Sequence, residues 1–140
     1  MLPANTRPLA RLVLLSFLLT FVAARVVSFL MRAQRMAGFY LLVHGTHVHH
    51  LNYGIFLLAG VGAYLLFHPG PAAPAAPGAA VTYGVGLGLT FDEFGMWLHL
   101  GGDYWQRASY DAVIVLGAAL ALASFAPPLQ HWWPRKRVQA

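Results

Sequence analysis

The chain of 140 residues has no cysteine and little charge, with four acidic residues, nine lysine or arginine residues, and 9% charged residues in total. Without cysteine it can form no disulfide, thiolate metal site or iron–sulfur cluster, so a bound metal would need histidine, carboxylate or backbone oxygen as ligands. A soluble domain has about a quarter of its residues charged, and disordered segments are also charged and poor in large apolar residues. The composition therefore excludes both classes.

What the chain has in excess is apolar residues, which make up 59% of it, with a mean hydropathy of +0.60. This composition predicts a polytopic membrane protein. The basic residues lie at the ends of apolar segments and form no groove or stripe, so we expect no binding of nucleic acid. The sequence contains no P-loop, no G-x-S-x-G and no dinucleotide fingerprint.

We predict an all-α fold, a polytopic transmembrane four-helix bundle that forms a single domain over residues 1–140. Each apolar span is close to the length of about 20 residues that crosses the hydrocarbon core of a bilayer. The predicted spans are residues 9–30, 51–67, 79–100 and 109–125. A tract rich in proline, glycine and alanine, 69–78, is predicted to connect the second span to the third because proline interrupts helices.

Four spans place both termini on the same side of the membrane. The two tryptophans Trp132 and Trp133, followed by the basic residues 135–137, are typical of an interfacial belt and a cytoplasmic tail. We therefore expect a prokaryotic inner-membrane protein with both termini in the cytoplasm. Its expected partners are the lipid bilayer and either further copies of itself or a larger membrane complex. Arg25, near the end of the first span, is expected to extend its side chain to the interface.

The predicted topology brings all four acids and five of the seven histidines into the half of the membrane opposite the termini. Buried carboxylates are costly unless they are paired, protonated or bound to a cation. Imidazole and carboxylate together suit zinc, iron or manganese. The sequence therefore predicts a divalent metal site between the second and third spans, with the ligands His47, His50, Asp92 and His99.

Helical spacing supports this set. Asp92, Met96, His99 and Asp103 follow one another at steps of four, three and four residues, and they share one face if the helix persists through Gly101 and Gly102. A metal held there would lower the pKa of a bound water, and Glu93 or Asp103 would act as general base. The corresponding function is a metal-dependent hydrolase acting on an amphipathic substrate, although enzyme status stays open.

Other readings of the same residues stay open. Asp92 and Glu93 could instead form an internal salt bridge with Arg25 or Arg107. The protein would then be a non-catalytic subunit or assembly factor of a larger membrane complex. Two of the histidines could also bind a b-type haem as axial ligands.

Two local motifs bear on packing. Gly84 and Gly88 form a GxxxG pair, which predicts the close approach of another helix. Ser109 and Asp111 are expected to be the N-cap and the first-turn acid of the fourth span.

Two blocks of the sequence combine polar and aromatic residues in a distinctive pattern. They are the HxHH segment 47–50 followed by Tyr53-Gly54-Ile55, and the segment 86–94 (GLGLTFDEF) followed by Trp97, Asp103-x-Trp105 and Ser109-x-Asp111-Ala112-Val113. In these blocks the chain resembles a family of small uncharacterised prokaryotic integral membrane proteins. No activity is established for that family, so the resemblance implies a membrane location and assigns no catalytic residue.

Overall fold

The computed structural model describes residues 6–35, 42–43, 46–68, 75–100 and 104–126. Within these ranges the chain is helical apart from two short strands. The elements are α1 (Arg7–Arg32), β1 (Leu42–Val43), β2 (Thr46–His47), α2 (His50–Phe67), α3 (Ala76–Asp92), α4 (Phe94–Leu98) and α5 (Arg107–Phe125). The strands are antiparallel, with Leu42 opposite His47 and Val43 opposite Thr46. The predicted helical character is confirmed for this part of the chain.

Three helices in the described ranges, α1, α2 and α5, are long and apolar enough to cross a membrane. Their most apolar windows have mean hydropathies of 2.3, 1.5 and 1.7, and at most 17% of any such window is buried inside the protein. The large side chains of Phe56, Leu66 and Phe67 are more than three-quarters exposed. An apolar exterior of this kind is typical of helices surrounded by lipid, which supports an integral membrane protein.

The third predicted span begins earlier than its sequence pattern indicates. Helix α3 starts at Ala76, inside the tract 69–78 that was expected to be a connector. Pro77 lies in the first turn of α3, where its missing N–H would have had no partner within the helix. Residues 69–74 of the tract lie outside the described residues.

The same predicted span, 79–100, is two helices in the structure. Helix α3 ends at Asp92, and the short α4 follows after Glu93 and ends at Leu98. Leu100 then adopts a positive φ of 52°, which a right-handed helix does not allow. The expected continuous stripe from Asp92 to Asp103 is therefore interrupted twice.

Contacts at the helix ends fix an up-down-up-down arrangement of the four long helices. At one end, the Arg7 Nη2 donates to the backbone oxygen of Ala126, 2.9 Å away, and the Arg11 guanidinium lies 5.0 Å from the centre of the Phe125 ring. At the other end, Arg25 of α1 contacts Asp92 of α3. Helices α1 and α5 are therefore antiparallel, and α1 and α3 are parallel.

Helix α3 lies between α1 and α2, and its glycines allow both neighbours to approach closely. Gly84 and Gly88 face α1, where a Cβ on Gly88 would lie 2.7 Å from the Cβ of Thr20. Gly86 faces α2, where a Cβ would lie 3.2 Å from the backbone oxygen of Gly54. The close packing expected from the GxxxG pair is present, with a second glycine contact on the opposite face.

A small apolar core joins α1, α3 and α5 through the buried residues Phe17, Leu87 and Val113. Ser109, at the start of α5, is fully buried, and its Oγ accepts the N–H of Gly95 at 2.8 Å. The N-cap of α5 is Gln106, so the expected N-cap role of Ser109 is wrong. Ser109 instead connects α5 to α4.

Candidate functional site

An ion pair between Arg25 and Asp92 lies at the centre of the polar residues. The Arg25 Nε is 2.6 Å from the Asp92 Oδ1, and the two side chains are 10% and 0% exposed. The Arg25 Nη2 also donates to the backbone oxygen of Asp92, at 2.7 Å. That oxygen belongs to the last residue of α3, where the helix no longer needs it as an acceptor. Arg25 therefore binds both the carboxylate and the carboxyl end of α3.

The rest of the Arg25 guanidinium is held by the segment before α5 and by the first turn of α5. Its Nη1 donates to the backbone oxygen of Tyr104 at 3.3 Å and to the hydroxyl of Tyr110 at 3.4 Å. Four aromatic rings surround the guanidinium carbon at 4.5 to 5.3 Å, which adds cation–π attraction in a site with little water. The rings belong to Phe21, Tyr104, Trp105 and Tyr110.

The second carboxylate oxygen of Asp92 accepts two further hydrogen bonds. The His50 Nε2, at the start of α2, donates to Oδ2 at 2.8 Å, and the Tyr104 hydroxyl donates to the same oxygen. Burial and the hydrogen bond to Asp92 raise the pKa of Tyr104 well above its usual value, so the hydroxyl keeps its proton and remains a donor. Asp92 is therefore in contact with residues from α1 and α2 and from the segment before α5.

Glu93, which lies between α3 and α4, caps the N-terminus of α2. Its Oε2 accepts the backbone N–H of Leu51 at 3.0 Å, and its Oε1 accepts the His49 Nδ1 at 2.9 Å. Helix α2 has no acidic residue in its own first turn and no side-chain cap. A carboxylate at this position stabilises the helix because the first N–H groups lack partners and carry a partial positive charge.

Removal of this carboxylate should loosen the first turn of α2. We expect Glu93→Ala to cost about 1 to 2 kcal/mol locally, in the upper part of the range measured for lost helix caps. The amide of Leu51 should then exchange its hydrogen about 5 to 30 times faster, measured by hydrogen exchange with mass spectrometry. Asp111→Ala is the matched control, because the Asp111 side chain is 59% exposed. Unchanged exchange at Leu51 would contradict the capping role.

The structure brings together three of the residues predicted for the site. His50, Asp92 and Glu93 lie in one cluster, although His50 is 42 residues from Asp92 along the chain. His99 is separated from them, since it is exposed and its Nδ1 donates to the backbone oxygen of Gly95 at 2.8 Å. The physical reason is that α3 ends at Asp92 and α4 begins at Phe94, so His99 does not continue the helix face that carries Asp92.

Two other predicted residues are not described. The backbone of His47 lies in β2, but its side chain is outside the described residues, as is the whole of Asp103. The predicted contributions of His47 to a metal site and of Asp103 as a general base therefore stay predictions.

Asp92 does not fit the role of metal ligand in this arrangement. Its oxygens already contact Arg25, His50 and Tyr104. A cation bound there would lie close to the guanidinium, and like charges about 4 Å apart repel by about 4 kcal/mol per unit of charge near a protein surface. Within the described ranges, no group of three histidine or acidic side chains is arranged to hold a metal ion.

Sequence reasoning missed one member of the cluster, Tyr104, and named another, Arg25, only in the alternative of an internal salt bridge. Arg25 was expected to reach the interface, yet only 8% of the residue is exposed. The available signal was its position seven residues before the end of α1, because a charged residue inside a span usually has a partner there. Nothing in the sequence distinguishes Tyr104 from an aromatic residue at the membrane interface.

Comparison with protein-family models, with curated proteins and with solved structures finds no match to this chain in any of the three. The resemblance to small prokaryotic membrane proteins therefore stays a prediction. What can be argued about function comes from the geometry of the cluster.

Proposed function

We propose that this chain is a non-catalytic integral membrane protein, a small helical subunit or assembly factor of a larger membrane complex. The observation that carries the proposal is the state of Asp92, whose carboxylate is occupied by Arg25, His50 and Tyr104 of the same chain. An acid used in this way is unavailable to a substrate or a metal. Its role is to connect helices.

The charges of the cluster support this role. Arg25, Asp92 and Glu93 are all less than 10% exposed. A metal was predicted because two neighbouring carboxylates are costly to bury, but Arg25 and the imidazole of His50 reduce this cost without a metal. A buried pair of this kind contributes little net stability, whereas the loss of one partner is strongly destabilising. The cluster therefore specifies one arrangement of the helices.

The proposal includes a four-helix transmembrane bundle in which α3 is the fourth span. Helix α3 has 17 residues, about 26 Å at 1.5 Å per residue, and it packs between α1 and α2. A helix that lies between two spans belongs in the membrane with them. An even number of spans also agrees with the contact between Arg7 and Ala126, and the proposal keeps both termini on the cytoplasmic side of a prokaryotic inner membrane.

Membership of a complex is supported by the outer face of α2. A Cβ added at Gly60 would meet nothing within 4 Å, and Phe56, four residues earlier on the same face, is 77% exposed. Small residues at a lipid-facing position let a helix of another chain approach closely, which is how membrane helices commonly associate.

A metal-dependent hydrolase is the second candidate. One observation favours it: the Nδ1 atoms of His49 and His50 lie 2.9 and 3.6 Å from the same oxygen of Glu93, Oε1. Two ligands of a tetrahedral zinc ion are about 3.3 Å apart when each bond is about 2.0 Å. As they are arranged, these three side chains do not themselves form a metal site. Such a site would need a further ligand, for which His47 is the predicted residue. Glu93 would then be a ligand and no longer the general base.

One experiment separates the two candidates. The protein is purified from its native membrane in a mild detergent. The mass of protein in each particle, without bound detergent, is measured together with the content of zinc, iron and manganese. We expect a particle heavier than one chain of 15.3 kDa, a lower mass for Gly60→Leu, and no stoichiometric metal. A stable single chain would contradict the first candidate. One metal per chain that is lost in Glu93→Gln and retained in Asp92→Asn would favour the second.

A further inference from the structure

An apolar groove separates α1 from α2 next to the polar cluster. Both helices pack against α3 and make little contact with each other, which leaves a cavity of about 420 Å³ between them. The wall on α1 includes Ala23, Ala24 and Val27, and Leu89 of α3 lies beneath them. This volume is within the range of small-molecule sites in proteins.

The groove is polar at the end that meets the cluster. His50 and Tyr53 of α2 line it there, opposite Ser28 of α1. The His50 side chain is 27% exposed, and its orientation is fixed by its hydrogen bond to Asp92. An occupant of the groove must therefore have a long apolar body and a polar head at the level of His50.

The charges behind this polar end select the type of head. Arg25 pairs with Asp92, whereas Glu93 contacts His49, His50 and the backbone N–H of Leu51, so the described cluster has two carboxylates for one guanidinium. A phosphate or carboxylate head would be repelled. An amine head would lose its hydration without gaining a carboxylate, because Asp92 Oδ1 is buried against Arg25 and the other carboxylate oxygens of Asp92 and Glu93 already accept hydrogen bonds. An uncharged head with hydroxyl groups avoids both costs, since a hydroxyl both donates and accepts.

From this geometry we infer that the groove between α1 and α2 binds a single-chain lipid with an uncharged hydroxyl head, of the monoacylglycerol type. The acyl chain lies along Ala23, Ala24 and Val27, and the hydroxyls contact His50 and Tyr53. This inference does not depend on membership of a complex or on a metal.

The test uses delipidated protein in detergent and three probes with the same acyl chain, 1-oleoylglycerol, oleate and oleylamine, with binding measured by native mass spectrometry. We expect one 1-oleoylglycerol per chain, bound at least tenfold more tightly than the two charged probes. Ala24→Phe, which fills the groove, should weaken that binding at least tenfold. Ala63→Phe is the matched control on the exposed surface of α2 and should bind as the unaltered protein does.

Two further variants distinguish loss of the groove from misfolding. Ala23 is exposed, so Ala23→Phe can be accommodated without repacking and should also weaken binding. Tyr53→Phe removes one hydroxyl and should reduce the preference for 1-oleoylglycerol over oleate severalfold without changing thermal stability. Equal binding of 1-oleoylglycerol to Ala24→Phe, Ala23→Phe and Ala63→Phe would overturn the inference. Tighter binding of either charged probe would also overturn it, as would failure of 1-oleoylglycerol to bind the unaltered protein.

Discussion

Replacement of Arg25 by leucine should lower the free energy of unfolding by about 3 to 5 kcal/mol, the cost of leaving a buried charge without its partner. Asp92 would keep the hydrogen bonds from His50 and Tyr104 but would lose the only guanidinium in contact with its carboxylate in the described part of the chain. Equilibrium unfolding in mixed micelles, followed by circular dichroism, measures the change.

The double variant Arg25→Leu with Asp92→Leu separates the ion pair from other effects of the mutation. Removal of both charges abolishes the unpaired ion, and buried pairs replaced by apolar residues are often neutral in stability or better. We therefore expect the double variant to be more stable than either single variant. The coupling energy of the cycle should be several kcal/mol, because the two side chains are in direct contact.

A matched control is available on the surface. Arg107 and Asp111 form an ion pair with 3.5 Å between the Arg107 Nε and the Asp111 Oδ2, and their side chains are 91% and 59% exposed. Exposed pairs of this kind contribute about 0.3 to 0.5 kcal/mol. Arg107→Leu should therefore change stability by less than about 0.5 kcal/mol. If Arg25→Leu were as mild as Arg107→Leu, the proposed structural role of the cluster would be wrong.

Periodicity and composition predict much of this fold because membrane spans are set by length and hydropathy. Helices α1, α2 and α5 lie close to the predicted spans, and His50, Asp92 and Glu93 lie in one cluster. Depth follows from topology alone. The sequence therefore predicts which polar residues share a level of the membrane.

What the sequence does not predict is which residues at that level touch. Asp92 pairs with Arg25 because α1 and α3 run parallel and pack closely through Gly84 and Gly88, a choice of neighbour that periodicity cannot make. The end of α3 at Asp92 is not marked in the sequence by a proline or a run of charges. The prediction therefore placed His99 on one continuous helix face with Asp92, whereas the structure separates the two. A salt bridge and a metal site need the same residue types, and only the choice of neighbouring helix distinguishes them.

That choice of neighbour can be tested at Gly84. A Cβ at this position would collide with the Ser16 Oγ and with the backbone oxygen of Val13, and it would lie 3.1 Å from the backbone nitrogen of Phe17. Backbone atoms of a helix cannot move aside individually, so α1 and α3 must separate. We expect Gly84→Leu to cost about 3 kcal/mol or more, at the upper end of the range for overpacked cores.

Gly62 provides the control, because a Cβ there meets nothing within 4 Å. Alanine is favoured over glycine by about 1 kcal/mol inside a helix. Gly62→Ala should therefore raise stability slightly or leave it unchanged, whereas Gly84→Ala should lower it. The opposite signs distinguish a steric contact from helix propensity, and a stabilising Gly84→Ala would contradict the packing described for α1 and α3.

The effect of Gly84 should also reach the polar cluster. Gly84 and Asp92 are eight residues apart on α3, so a wedge at Gly84 that separates α1 from α3 also draws Asp92 away from Arg25. The losses from Gly84→Leu and Arg25→Leu should then overlap, and the double variant should lose less stability than the sum of the two single variants. Strict additivity would mean that the glycine contact and the ion pair stabilise the fold independently.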